Sequence, residues 1–254
     1  MLRFLRRQRS NPSGAPDCRA YVIGDVHGRL DLLEDLLAKI HAELQHRPAK
    51  QTLLVFVGDL IDRGPRSANV LERLRTYRRD GVEPVFILGN HEEVLLRILA
   101  GETPLIADWL CFGGAECLQS YGVDPAEIAL LDEDEALARL RSAIPKNHVE
   151  FLEDFISSRR FGDYLFVHAG VRPGVPLDRQ SEFDLRWIRE PFLRDNTDHG
   201  FMVIHGHTIS KGVEERPNRI GIDTGAYRTG ILTALAIEGE NRWLLDTQPP
   251  VAGP

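Results

Sequence analysis

Short apolar runs alternate with helical periods along the first hundred residues. Ala20 to Ile23 is apolar and ends in Gly24-Asp25; behind it, Leu32, Leu33, Leu36, Leu37, Ile40 and Leu44 recur at the spacing of one helix face, predicting a helix over 30–44. A second run, Thr52 to Val57, ends in Gly58-Asp59 and precedes a helix-like stretch from Ser67 to Tyr77. A third, Pro84 to Leu88, ends in Gly89-Asn90, with a helix from about Glu92 to Leu99. Three strand-then-helix units in succession predict a parallel sheet, because parallel neighbours need a crossover and the helix supplies it.

Gly101 to Arg160 keeps the helical period and carries no strand signal, so it is read as a helical insertion or lid. Its acidic cluster, Asp132 to Glu135, is a solvated helix face. From Tyr164 strand signals return at Leu165 to Val167, Met202 to Ile204, Arg219 to Ile222, Ile231 to Ile237 and Trp243 to Leu245, closely spaced as in an antiparallel or mixed half. The expected fold class is α/β. Residues 1–18 are read as a basic flexible tail and a Pro/Gly/Ser-rich linker, 19–248 as one domain that contains the insertion at about 101–160, and 249–254 as a second tail.

Composition narrows the function. With 254 residues, 43% of them hydrophobic, the chain can bury a sizeable core, which excludes disorder. The formal charge is −7, and Arg3, Arg6, Arg7 and Arg9 lie in the tail, so the body is more acidic still; this argues against coating nucleic acid through phosphate contacts. No run of about 18 apolar residues predicts a membrane span, and the basic start is not followed by the apolar stretch of a secretion signal. Three cysteines, Cys18, Cys111 and Cys117, make an odd set in a chain that needs no staples. The expected compartment is cytoplasmic, with Cys111 and Cys117 in packing roles.

The chemistry sits at the strand ends. The first three strands lead into Gly24-Asp25-Val26-His27-Gly28, Gly58-Asp59-Leu60-Ile61-Asp62-Arg63-Gly64 and Gly89-Asn90-His91-Glu92. Ligands of open α/β sheets lie beyond the carboxyl ends of strands, so these loops should converge on one crevice. Asp25 and His27 are two apart and share a face wherever the chain is extended, so they can bind one ion together. Two later segments add imidazoles, His168 in Phe166-Val167-His168-Ala169-Gly170, and His205 and His207 in His205-Gly206-His207-Thr208. This mixed oxygen and nitrogen set, without thiolate, suits Mn, Fe or Zn; a carboxylate bridging two ions, with Asp59 in that role, would make a two-metal site for phosphoryl chemistry.

The segments GDVHG, GDLIDRG, GNHE, HAG and GHT, in that order, resemble the signature of the calcineurin-like metallophosphoesterases, in particular the phosphoprotein phosphatase branch, over about Ala20 to Ile237. The resemblance implies a β-sandwich of mixed sheets flanked by helices and a centre of two divalent transition-metal ions, with Mn2+ first and Fe or Zn as alternatives. Asp25, His27 and bridging Asp59 would hold the first ion, and Asp59, Asn90, His168 and His207 the second. His91 would be the general acid and Asp62 its orienting partner, while Arg63, Asn90 and Arg189 would bind phosphate, with Arg186 the fallback for Arg189. His205 is read as a packing neighbour, and Tyr227 stays outside the catalytic set. Ile209 stands where other branches carry a further histidine, which leaves the first ion an open position.

The implied reaction is hydrolysis of a phosphomonoester by an activated hydroxide. Phosphoserine or phosphothreonine proteins are the first implied substrates, symmetrical diadenosine tetraphosphate the alternative, and an inactive metal-stabilised scaffold the remote third. Competing chemistries lack their motifs. There is no Gly-x-x-x-x-Gly-Lys-Ser/Thr loop and no Gly-x-Ser-x-Gly elbow, and no arginine follows any cysteine at six residues.

Overall fold

The computed structural model describes residues 11–248, so the basic run before Asn11 and the 249–254 tail lie outside the described residues. In chain order the elements are β1 (Cys18–Ile23), α1 (Leu30–His46), β2 (Gln51–Phe56), α2 (Ser67–Arg75), β3 (Val82–Phe86) and α3 (Asn90–Ala100). Then come α4 (Leu105–Trp109), a π-turn (Leu110–Gly114), α5 (Ala115–Ser120), α6 (Pro125–Ile128), α7 (Glu133–Ala143) and α8 (Lys146–Glu153). The second half holds β4 (Ser158–Phe161), β5 (Tyr164–Val167), α9 (Glu182–Trp187), β6 (Met202–His205), β7 (Glu214–Glu215), β8 (Arg219–Gly221), α10 (Ala226–Thr229), β9 (Thr233–Glu238) and β10 (Asn241–Asp246).

Two five-stranded sheets form, in the orders β10-β9-β1-β2-β3 and β4-β5-β6-β8-β7. As the hydrophobic pattern predicts, β1, β2 and β3 are parallel. Alternation along each strand then distributes side chains between layers. In β1, Ala20 and Val22 face the space between the sheets while Tyr21 and Ile23 face the helices. Leu53 and Val55 against Leu54 and Phe56 repeat this in β2. Tyr164 and Phe166 of β5 enter the same intersheet layer, and Leu165 and Val167 pack outward under Leu185, Ile188 and Phe192. Strands apolar on both faces therefore read as unbroken runs, which is why they are visible in the sequence.

Three expectations change. The insertion is helical, but β4 begins inside it; its Ser-Arg-Arg-Phe sequence is a short charged edge strand with no apolar run to announce it. The late strands do not form one half, because β9 and β10 return to the first sheet, β9 pairing antiparallel with β1. The stretch expected to be a flexible linker is tied down: Gly14 N–H donates to Gly239 O at 2.8 Å, and Tyr164 Oη donates to Pro12 O at 3.0 Å. No helix among the described residues is long and apolar enough to cross a membrane.

Candidate metal centre and acid site

Strand ends of both sheets meet at one place. Asp25 and His27 follow β1, Asp59 follows β2, Asn90 and His91 open α3 after β3, His168 follows β5, and His207 follows β6. All seven are buried. The loops are locked to each other by the backbone: Val26 and His27 N–H both donate to Asp59 O, at 3.0 and 2.8 Å. Gly58 is required at its position. Its φ is +101°, and a Cβ there would lie 2.6 Å from Gly89 N and 2.8 Å from His168 Nδ1. Among the described residues, six non-glycines have positive φ, and five of them, His27, Asp59, Asp62, Arg63 and His207, belong to this site. Such strain persists only where the surrounding structure over-determines it, and it clusters at functional sites.

Asp59 is the hub. Its Oδ2 lies 3.6 Å from His27 Nε2 and 3.9 Å from His91 Nε2, while Oδ1 lies 3.4 Å from His168 Nε2. Each oxygen thus faces a different set of imidazoles, the disposition a bridging carboxylate needs. Two groups could hold an ion, His27, Asp59 and His91 on one side and Asp59, His168 and His207 on the other, ligand atoms in each lying within 4.8 Å of one another. Asn90 Oδ1 joins the second group, 3.0 Å from His168 Nε2 and 2.9 Å from His207 Nδ1. Backbone carbonyls orient the rings, Ile61 O at 2.8 Å from His27 Nδ1 and Val57 O at 2.7 Å from His168 Nδ1. With Nδ1–H so engaged, Nε2 carries the lone pair of each ring, and it faces Arg63 Nη1 at 2.8 Å in His27 and Asn90 Oδ1 at 3.0 Å in His168.

The electrostatics fit cations. Asp25, Asp59, Asp62, Glu92 and Asp223 are each 2% exposed or less, an unusual crowd of buried acids. Asp25 Oδ2 accepts His207 N–H at 3.0 Å, but its buried Oδ1 has no hydrogen-bond partner. Burial, then the charges of Asp223 and Asp59, push the Asp25 carboxyl well up. Burial raises Asp223 to about 6. It also drives His27 and His168 below the ordinary imidazole range, and it lowers His207 to about 3, His168 adding to this. Burial opposes ionisation of Asp59 as well, yet His168, His91 and His27 around it hold its carboxyl below the usual range. An unpaired buried carboxylate oxygen beside neutral imidazoles is a donor set suited to a divalent ion.

His91 and Asp62 are a pair, Nδ1 to Oδ2 at 2.7 Å. Trp109, from the insertion, donates its indole N–H to the same Oδ2 at 3.0 Å. Burial pulls the His91 pKa down, but Asp59 and the Asp62 bond outweigh it and the net shift is upward. His91 lines a cavity of about 350 Å3 together with Arg63, Asn90, Arg189 and His207. Arg63 Nη1 lies 2.8 Å from His27 Nε2, and its guanidinium lies over the Tyr227 ring. Tyr227 thus packs under Arg63 and edge-on against His27.

Arg189 lies in that cavity wall. Arg186 is occupied elsewhere, donating to Glu93, Ser157 and Glu182. His205 faces away: its Nδ1 lies 3.0 Å from Gly206 O and its Nε2 lies 3.2 Å from Arg219 Nη1, so neither nitrogen is directed at the centre. Cys111 is exposed, Cys117 is buried with its thiol pushed well up by that burial, and neither forms a disulfide.

Some residues escaped the sequence reading. Glu92 accepts N–H bonds from Asp59 (2.9 Å), Leu60 (2.7 Å), Ile61 (3.2 Å) and Gly89 (3.1 Å), clamping the second and third loops together. Asp223 follows β8 as Asp25 and Asp59 follow their strands, and that shared strand-end position was its available signal. Trp109 and Glu93 had none, since both act through partners distant in sequence.

This arrangement defines a metal-dependent phosphoesterase. The calcineurin-like phosphoesterase family model matches residues 18–229, and the chain belongs to that family. It is 30% identical to a symmetrical bis(5'-nucleosyl)-tetraphosphatase of Janthinobacterium sp. (strain Marseille), over 85% of this chain and 91% of that enzyme. It is also 30% identical to serine/threonine-protein phosphatase 1 of Salmonella typhimurium, over 86% of this chain and 91% of that enzyme. The crystal structure of a putative diadenosine tetraphosphatase superposes with a TM-score of 0.64 at 23% identity, covering 93% of this chain and 99% of that one. The protein is accordingly a metal-dependent phosphoric-ester hydrolase.

Proposed function

We propose that the protein cleaves symmetrical dinucleoside tetraphosphates, with water, into two nucleoside diphosphates. The reaction rests on one observation, the buried His91–Asp62 pair set 2.7 Å apart beside the Asp59 hub and opening on the same cavity as two arginines. The substrate reading is supported by the relatives that carry this activity in their names. It exchanges the order of the two substrates that the motifs implied.

In this reading Asp25, His27 and Asp59 would hold one ion, and Asp59, Asn90, His168 and His207 the other, with Mn2+ first and Fe or Zn as alternatives. Bound there, the ions would supply Lewis acidity and an activated water. The chain's own residues do the rest. Arg63 and Arg189 offer paired donors to the phosphoryl oxygens, and Asn90 adds a neutral contact. Asp62 accepts from His91 Nδ1–H and, with Asp59, favours the imidazolium form, so Nε2 also holds a proton, which passes to the departing phosphate oxygen. Trp109 in turn holds Asp62.

A second reading, a serine/threonine protein phosphatase, is favoured by the Salmonella relative, whose identity and coverage equal those of the tetraphosphatase. Steady-state hydrolysis by metal-stripped protein reloaded with Mn2+ separates the two. Release of ADP from diadenosine tetraphosphate in preference to phosphate from a phosphothreonine peptide is expected, with loss in His91→Ala and Asp59→Asn. The opposite preference supports the second reading, and turnover of neither would return the chain to the scaffold.

A further inference from the structure

Trp109, Phe112 and Trp187 line the cavity along with its polar residues, Phe112 from the insertion and Trp187 from α9. On the insertion side the π-turn presses against the phosphate-binding loop: Arg63 N–H donates to Gly113 O at 2.9 Å, and Gly113 has φ +116°. A Cβ on Gly113 would lie 2.6 Å from Arg63 N, and one on Gly114 would lie 2.3 Å from the Trp109 ring. With its backbone held inward so tightly, the turn projects Phe112 outward at the cavity rim, 67% exposed.

On the other side stands Trp187 at the end of α9, half-buried and lining the same cavity. Two contacts hold it, and a third braces the first. Its indole N–H donates to Glu93 Oε2 at 2.6 Å, the neighbouring Arg186 Nη1 donates to Glu93 Oε1 at 3.0 Å, and the Phe183 ring stacks on it at 6.1 Å between centroids and 14° between planes. One side chain, Glu93, two positions after the general acid, therefore fixes both the aromatic wall and the arm that carries Arg189.

From this we propose that Phe112 and Trp187 form an aromatic jaw that takes a nucleobase while Arg63 and Arg189 take the phosphates. This rests on the nucleotide-hydrolase reading above and deepens it. The chemistry requires a ligand with anionic oxygens at one end and a flat ring at the other, and about 350 Å3 is the scale of small-molecule sites. Aliphatic phosphoserine and phosphothreonine side chains have no ring to stack on either wall. Trp187, held by Glu93 and Phe183, is the platform; Phe112, exposed at the rim, is the cover.

The test is binding rather than turnover. Mn2+-loaded protein is titrated with ADP, pyrophosphate and phenyl phosphate by calorimetry, with quenching of Trp fluorescence as a second readout. The wild type should bind ADP at least tenfold more tightly than either comparator, since stacking on an aromatic side chain contributes about five- to a hundredfold per base. The ratio of ADP to pyrophosphate affinity should fall about tenfold in Phe112→Ala and Trp187→Ala, and most of that loss should remain in Phe112→Leu, which keeps apolar bulk without a ring. An unchanged ratio in the Phe112 variants, whose exposed site leaves folding undisturbed, overturns the jaw. So does equal affinity for phenyl phosphate and ADP, which would mean a pocket for a small ring. Failure of the underlying reading shows differently, as peptide turnover without ADP release in the wild type.

Discussion

Trp109 donates its indole N–H to Asp62 Oδ2 at 3.0 Å, the same oxygen that accepts from His91 Nδ1. The helical insertion thus reaches the His91–Asp62 pair directly. Trp109→Phe keeps the packing and removes this donor from a buried carboxylate. We expect about a tenfold fall in kcat, the scale of other partner residues that orient catalytic groups, with KM little changed. Steady-state kinetics and a thermal melt together separate this from unfolding.

Loss of the proton donor should depend on the leaving group. His91→Ala is expected to slow hydrolysis of alkyl phosphates by about 10²–10⁴-fold, and p-nitrophenyl phosphate and nucleotide anhydrides less, because nitrophenolate and a nucleoside diphosphate are weakly basic leaving groups whereas an alkoxide must be protonated. Equal losses on all of them would mean that His91 serves as a ligand instead, as its place beside His27 and Asp59 geometrically allows.

Metal content distinguishes the same alternatives directly. Asp25 has a buried oxygen without a partner, whereas His91 has its Nδ1 engaged by Asp62. We expect Asp25→Asn to lower bound Mn2+ from about two ions per chain towards one, His91→Ala to leave two, and Asp59→Asn to remove both, measured by elemental analysis after gel filtration.

Glu92 touches no substrate, yet four backbone N–H groups depend on it. Burial and the charge of Asp59 raise its pKa to about 7 against the lowering effect of those donors. Glu92→Gln replaces one acceptor oxygen by an amide that faces N–H groups. The expected cost is about 2–3 kcal/mol of stability, read from urea denaturation, with weaker metal retention because Asp59 rides on the same loop.

His148 of α8 links the insertion to α2: Tyr121 Oη lies 2.8 Å from its Nδ1, and Glu72 Oε2 lies 3.2 Å from its Nε2. Burial, stronger than the opposing effect of Glu72, holds its pKa below the ordinary value. Below about pH 6.5 the unfolded chain then binds a proton more readily than the folded one, so stability falls as pH falls through that range. Urea midpoints at pH 7 and 5.5 should differ less in His148→Gln than in the wild type.

Much of this was legible along the chain. Strands apolar on both faces, such as Leu53 to Val57, appear as unbroken runs, and the acids and imidazoles that follow them stand at strand ends where α/β sheets place ligands. His205 and His207 are adjacent in a motif and chemically identical, and the neighbour of each decides its use: Arg219 and Gly206 O engage His205, while His207 turns to Asn90. Where a signal was weak, there was a physical reason. β4 is a charged edge strand of four residues, and β9 looks the same whichever sheet it joins, since both its faces are covered either way.

The amino-acid sequence by itself determined the α/β class, the parallel β1-β2-β3 unit, and the position of acids and imidazoles at the strand ends, because periodicity and strand-end position are local properties. Only the tertiary structure decided which groups touch. The return of β9 to β1, the clamp of Glu92 on the second loop, the reach of Trp109 to Asp62 and the anchoring of Trp187 by Glu93 all join residues far apart in the chain. Such contacts depend on how layers pack and on which buried donors must find acceptors, and no local pattern encodes that pairing.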